Sequence, residues 1–328
     1  MVTLIITCSL LLLFYWCQHS FPNTKSAAED RTTFYYYRER TLSISRAIEN
    51  NIKRNCANLG IGTQWDLNTS SLPAHLLAQE STHIVYGALA KSGSSSFKHF
   101  LYHTEGDTCD PPCYPHAADE NGQYPHWDRV EDNSFFVSEE DLESYVKIAP
   151  IRNPIVRLVS AFRDKQLMRF AFLPEEEVAG FPDSKMFVYF IEKLFVQRGK
   201  NDIINKEEHL QPQWKNLEIC SFPYDIVMPI EHPDHSIKLL QELTDTTHIT
   251  FPHKVPGSKL RGKKVGHPVH RSTADFAREY FSSLSTVQLE AVMLHYKLDF
   301  EILGYTGLHQ KGFPELNICA DPSIQKCW

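Results

Sequence analysis

The stretch Tyr145-Val146-Lys147-Ile148-Ala149-Pro150-Ile151-Arg152-Asn153-Pro154-Ile155-Val156-Arg157-Leu158-Val159-Ser160-Ala161-Phe162-Arg163-Asp164-Lys165 joins two patterns at one point. Residues 145–151 form a nearly continuous apolar run, as expected of a strand buried in a parallel sheet. Asn153-Pro154 then predicts a helix start, with asparagine as N-cap and proline at the first helical position. Beyond it Ile155, Leu158, Val159 and Phe162 fall on one helical face. A strand running straight into a helix is the repeating unit of an α/β fold.

The same unit occurs about sixty residues earlier. Ile84-Val85-Tyr86-Gly87-Ala88-Leu89 reads as a strand, Ala90-Lys91-Ser92-Gly93-Ser94-Ser95-Ser96-Phe97-Lys98 as a loop entering a helix from Ser95 to about His103. Tyr224 to Pro229 is a third strand. Asp183 to Gly199 reads as a helix with Phe187, Phe190, Ile191, Leu194 and Phe195 on its core side, and a helix around Thr41 to Arg54 is weaker. Ser285-Thr286-Val287-Gln288 is a capping box opening a helix through Tyr296. Thr104 to Asn133, rich in Pro, Gly, Asp and His, reads as an irregular surface loop. The alternation predicts an α/β domain whose central sheet is mainly parallel and flanked by helices.

With 42% hydrophobic and 22% charged residues over 328 positions, the chain can bury a large core and is not a disordered polyelectrolyte. A net charge of -7 without an arginine-rich tract argues against nucleic acid as a partner. The N-terminus, Val2 to Cys17, carries no charged side chain. It reads as an uncleaved signal-anchor, short for a spanning helix but sufficient for a thin membrane. The competing reading is a signal peptide cleaved at Ser26-Ala27-Ala28. Either way the remainder enters the secretory pathway, where Asn68-Thr69-Ser70 is a glycosylation sequon at Asn68.

Outside the apolar segment six cysteines remain, Cys56, Cys109, Cys113, Cys220, Cys319 and Cys327. They allow up to three disulfides in an oxidising compartment. Cys109 and Cys113, with His103 and His116 near, have half the spacing of a zinc site, and no second Cys pair completes it. The expected organisation is an anchor over 1–17, a luminal stem over 18–79, a catalytic domain over 80–310 and a tail over 311–328.

The chemistry lies where the two strands end. A helix N-terminus presents unpaired N–H groups and a positive dipole end, so it attracts anions. In the first loop, which includes Ser92 among its cofactor-binding candidates, Gly93 permits close backbone approach to a phosphate, and Ser94, Ser95 and Ser96 add hydroxyl donors. Lys91 and Lys98 supply cations, but Lys91 precedes the glycine, so the loop is not a Walker A sequence. In the second segment Arg152 and Ser160 are placed to converge on one phosphate, the arginine by its planar fork. Arg157 and Arg163 read as a solvated face. Two anion sites in one domain suit a nucleotide phosphorylated at both ends of its ribose.

These segments resemble the 5′-phosphosulfate loop and the 3′-phosphate motif of Golgi carbohydrate sulfotransferases, in the membrane-bound branch that includes the chondroitin and dermatan 4-O-sulfotransferases. Arg152 to Lys165 is similar to that family's Arg-Asp-Pro-x-x-Arg-Leu-x-Ser-Ala-Tyr/Phe-Arg-Asp-Lys motif. Tyr296-Lys297-Leu298-Asp299-Phe300-Glu301-Ile302-Leu303-Gly304-Tyr305 resembles its Tyr-x-x-Asp-Phe-x-x-Phe-x-Tyr ending, and a looser likeness runs from His209-Leu210-Gln211-Pro212-Gln213 through Cys220, Tyr224 and Asp225 to Glu231. Ala90, His99, Asn153 and Leu210 depart from the family's Pro, Arg, Asp and Trp.

The resemblance implies a P-loop-NTPase-like sulfotransferase fold and 3′-phosphoadenosine 5′-phosphosulfate (PAPS) as donor, without a metal. It implies a glycan acceptor, foremost the 4-hydroxyl of N-acetylgalactosamine in the glycosaminoglycan chondroitin, and a type II protein of the Golgi membrane with a luminal catalytic domain. Lys91 would stabilise the leaving bridge oxygen, and His209 is the leading candidate base, ahead of His126 and Glu231. The basic run Lys254 to Arg271 would line a cleft for an anionic glycan or cover the nucleotide. An inactive sulfotransferase-like binding protein is the first alternative. A Golgi glycosyltransferase is the second, weakened because no two Asp residues are separated by a single position.

Overall fold

In a computed structural model the described residues are 45–62, 73, 76–79, 82–97, 100, 128–129, 139–163, 180–197, 203–231, 233–244 and 272–305. All fall within one compact unit, Ile44–Trp328. The proposed anchor at 1–17, Asn68, Lys98, His126, the basic run 254–271 and four of the six cysteines lie outside the described residues. Among the described residues no helix is long and apolar enough to cross a membrane.

Five strands form one sheet: β1 (Leu76–Gln79), β2 (Ile84–Gly87), β3 (Asp128–Arg129), β4 (Val146–Ile151) and β5 (Ile226–Pro229), in the order β3-β1-β2-β4-β5. Strands β2, β4 and β5 are parallel, as expected for segments buried along their length. On the other edge β1 pairs antiparallel with β2, and β3 antiparallel with β1. The sheet is therefore α/β as predicted, and its parallel half carries the segments singled out above. Strand β3 sits inside the stretch read as irregular loop, two residues being too short to leave a periodic signature.

Along the chain the helices are α1 (residues 45–58), α2 (Glu139–Ser144), α3 (Pro154–Arg163), α4 (Asp183–Ile191), α5 (Ile203–Lys206), α6 (Gln213–Asn216), α7 (Pro233–Leu243), α8 (Thr273–Ser282), α9 (Thr286–His295) and α10 (Lys297–Leu303). Helix α3 starts where its sequence dictates: Asn153 Oδ1 accepts from Ile155 N at 2.9 Å and Val156 N at 3.3 Å. Helix α9 begins with the expected capping box of Ser285 and Gln288. Helix α4 runs on as a π-helical turn, Glu192–Val196, so the helix read from Asp183 toward Gly199 is one rod with a change of pitch.

Aromatic packing fixes α3 against α4 and α8. Phe162 meets Phe187 edge-on at 5.0 Å and Tyr280 edge-on at 5.7 Å. The guanidinium of Arg163 lies 3.7 Å over the Phe276 ring, so this residue is not simply solvated.

The folded body begins earlier than the expected stem boundary at residue 79. Ile48, Ile52 and Cys56 on α1 are core residues, and β1 is part of the sheet. Ser45 Oγ accepts from Val227 N at 3.2 Å, and Asn55 Nδ2 donates to the Ile302 carbonyl at 3.2 Å. Polar composition hid this, because only a narrow stripe of α1 is apolar. Cys56 is bonded to Cys220, closing a loop of 164 residues. Replacing both cysteines with serine should lower stability by about 2–4 kcal/mol, since the cross-link restricts the unfolded chain. Urea unfolding of wild type and variant without reductant measures this, and reductant should shift the wild type more than the variant.

Candidate functional site

Strands β2 and β4 are adjacent and parallel, so the loop after one and the segment after the other emerge side by side at the carboxyl edge of the sheet. Open α/β sheets bind ligands at this edge. Gly87, at the end of β2, has no room for a side chain, because an added Cβ would lie 2.7 Å from Leu217 Cδ2. The loop then turns through two left-handed residues, Lys91 at φ 64° and Gly93 at φ 80°. For glycine this costs little, whereas for lysine it persists only if the surroundings enforce it. Residues 94–97 are helical, and the Phe97 ring stacks on Tyr86 of β2 with centroids 3.8 Å apart, seating that turn on the sheet.

Two guanidinium groups do the enforcing. Arg152 Nη1 donates to the Lys91 carbonyl at 2.7 Å, and Arg157 Nε donates to the Ala90 carbonyl at 2.9 Å. Both successive carbonyls of the loop are thereby drawn inward. Ser92 is wholly buried, and its hydroxyl turns toward Gln213 Oε1 at 3.4 Å, so as a phosphate ligand its side chain faces the wrong way. Lys91, Ser94, Ser95 and Ser96 are partly exposed.

Arg157 is buried to 1% exposure, which corrects its reading as a solvated residue. Besides Ala90 it donates through Nη1 to the Gln211 carbonyl at 2.7 Å and through Nη2 to the Glu208 carbonyl at 2.8 Å. Sequence offered no sign of this, because all three acceptors are main-chain atoms from distant segments. On α3 every position from Pro154 to Phe162 is buried except Ser160, so the helix presents Ser160 and Arg163 outward. Arg152, at the end of β4, is partly exposed as well.

Gln213 is the second hub. Its Oε1 accepts from Arg152 N at 2.9 Å and its Nε2 donates to the Arg152 carbonyl at 2.6 Å. Pro212 supplies no side-chain cap to α6, and Asp299 of α10 takes that role from outside the helix. Asp299 accepts from Gln213 N at 2.9 Å and from Trp214 N at 2.8 Å. Complete burial pushes its carboxyl up to about 6, against the downward pull of those N–H groups and of Arg157.

The preceding turn is held the same way. The Leu210 carbonyl accepts from Tyr296 Oη at 2.7 Å, with His295 Nε2 at 3.2 Å. Tyr296 and Asp299 were visible as a motif, yet their partners were not.

His209 lies on this turn, 27% exposed, with Nδ1 2.6 Å from Glu207 Oε1. A carboxylate on one ring nitrogen fixes the tautomer and orients the other. Glu231 is occupied instead: Oε1 accepts from Asn153 N, and Oε2 accepts from Tyr305 Oη at 3.2 Å. Burial raises its carboxyl while Asn153 N–H and Arg152 oppose the rise, as expected of a buried partner to Arg152. The structure thus brings Lys91, Gly93, the serine turn and Arg152 together, ties His209's turn to them through Arg157, and makes Glu231 a structural anchor.

A family model described as "Sulfotransferase family" matches residues 74–306, from just before β1 to just past α10. No curated protein and no solved structure matches the chain. A match of this extent, over the segments that build the carboxyl-edge site, places the chain in the sulfotransferase family.

Proposed function

We propose that the protein transfers the sulfuryl group of PAPS to a glycan hydroxyl, as a Golgi carbohydrate sulfotransferase. One observation carries this reading: the two anion-attracting segments meet, with Arg152 bonded to the carbonyl of Lys91. A donor charged at both its 5′ and 3′ positions requires two such sites at a fixed separation. The loop from Lys91 to Ser96 receives the 5′-phosphosulfate, with Lys98 as a further cation, and Arg152 with Ser160 receives the 3′-phosphate.

In the reaction the acceptor oxygen forms a bond to sulfur as the bond from sulfur to the bridging oxygen breaks, in line. 3′,5′-Adenosine bisphosphate departs. Lys91 neutralises the charge that appears on the bridging oxygen. His209 takes the proton of the acceptor hydroxyl at Nε2, while Glu207 holds Nδ1 and stabilises the imidazolium formed.

The Cys56–Cys220 bond and the sequon at Asn68 fit a luminal catalytic domain, and residues 1–17 fit its signal-anchor. The resemblance of the motifs favours chondroitin as acceptor, at the 4-hydroxyl of N-acetylgalactosamine.

The test supplies labelled PAPS with a panel of desulfated glycosaminoglycans and N-glycans, and measures binding of 3′,5′-adenosine bisphosphate in parallel. Transfer to desulfated chondroitin is the expected result. Binding without transfer to any acceptor would favour an inactive homologue, and absence of binding would overturn the proposal. Arg152→Ala should weaken bisphosphate binding roughly tenfold or more, since a charge-assisted hydrogen bond is worth about 1.5–3 kcal/mol, and Ser160→Ala should weaken it less.

A further inference from the structure

We propose that Arg157 is a positioning residue that fixes the separation between the loop bearing Lys91 and the turn bearing His209. The inference rests on the sulfotransferase reading above. It starts from a single side chain with three main-chain acceptors: Ala90 on the loop, and Glu208 and Gln211 on either side of His209. Those acceptors lie 67, 51 and 54 residues from Arg157 in sequence. The loop is also joined to the segment just after the turn, where Gln213 meets Ser92 Oγ and the Arg152 main chain, but Arg157 alone donates to the loop and to both sides of His209.

The guanidinium is planar and rigid, and donors on three nitrogens are used at 2.7–2.9 Å. Its own position is set by α3, whose neighbouring Leu158 and Val159 are fully buried. Support for the turn is independent on the far side, where Asn216 Nδ2 donates to the same Glu208 carbonyl at 3.1 Å. In-line transfer needs the acceptor oxygen and the leaving oxygen on opposite sides of sulfur, so the base and the leaving-group cation must sit at a fixed distance. A displacement of about 1 Å at a reacting centre is enough to cost on the order of a hundredfold in rate. Arg157 touches neither partner; it sets the gap between the two groups that do.

A lysine at this position keeps the charge but has one nitrogen and cannot reach three carbonyls in a plane. In the full chain, Arg157→Lys should therefore lower kcat for sulfate transfer at least tenfold while affinity for 3′,5′-adenosine bisphosphate changes by less than threefold. Folded fraction and thermal midpoint are measured on the same preparations. Unchanged kcat in the folded variant overturns the proposal, and so does an equal fall in kcat and donor affinity, which signals only a damaged fold. If Arg157→Lys is recovered unfolded, Asn216→Ala decides, because it weakens the same turn without removing a buried charge. A several-fold fall in its kcat at unchanged bisphosphate affinity supports the inference, and unchanged kcat overturns it. A wild type that neither binds the bisphosphate nor transfers sulfate overturns the functional reading and this one together. A wild type that does both, beside unaffected variants, overturns this one alone.

Discussion

Lys91→Ala is expected to lower kcat by about 10²–10³-fold, the range found when one preorganised donor to a developing anion is removed. Affinity for 3′,5′-adenosine bisphosphate should change much less, because the ammonium is most needed when the bridging oxygen becomes anionic. The backbone adds a control. Lys91 holds φ at 64°, a conformation that glycine adopts without cost. Lys91→Gly therefore keeps or eases the loop geometry while removing the same ammonium. Equal losses of kcat in the Ala and Gly variants would assign the effect to charge. A Gly variant close to wild type would assign it to loop conformation and remove Lys91 from the chemistry. Steady-state transfer kinetics with labelled PAPS, next to calorimetric bisphosphate binding, supply both quantities.

Asp299→Ala should destabilise the fold by about 3–5 kcal/mol, the cost of breaking a buried charged network by removing one member. Two main-chain N–H groups, of Gln213 and Trp214, lose their acceptor, and buried Arg157 loses a compensating charge. Denaturant unfolding at pH 7.5 measures the loss, and a change under 1 kcal/mol would contradict the burial described. The pH dependence is a separate check. The carboxyl sits at about 6 in the folded chain against an ordinary value of 3.8. Between these values the folded state holds more protons than the unfolded one, so this group's contribution to stability falls as pH rises from about 4 to about 6. The stability of wild type relative to Asp299→Asn should therefore grow as pH is lowered from about 7 to about 4. A constant difference across that window would show an Asp299 that titrates normally.

What could be read in advance was local. Asn153-Pro154 announces the start of α3 because cap and first-turn proline are neighbours in sequence, and Ser285 with Gln288 announces α9 for the same reason. The parallel strands were visible as apolar runs before each helix. The short antiparallel strands β1 and β3 were not, since four residues and two carry too little periodicity. For the candidate site, the sequence singled out Lys91, Gly93, Arg152, Ser160 and His209 by residue type. It could not assign Arg157, Gln213 or Asp299, because their partners are mostly main-chain atoms from remote segments, and every residue type offers the same carbonyl and N–H. Ser92 is the converse case. Its residue type suits phosphate, yet its hydroxyl is turned into the protein.

Asp299 also imposes an order in time. The loop at Lys91 leaves the ribosome roughly 200 residues before the carboxylate that anchors Gln213, and at about 5–20 residues per second that interval is on the order of 10–40 s. Until α10 is made, α6 has no N-terminal cap and Gln213 has no fixed place from which to hold Arg152 and Ser92. All three parallel strands are thus synthesised well before the residue that caps α6. Premature termination anywhere ahead of Asp299 would leave the N–H groups of Gln213 and Trp214 without their acceptor.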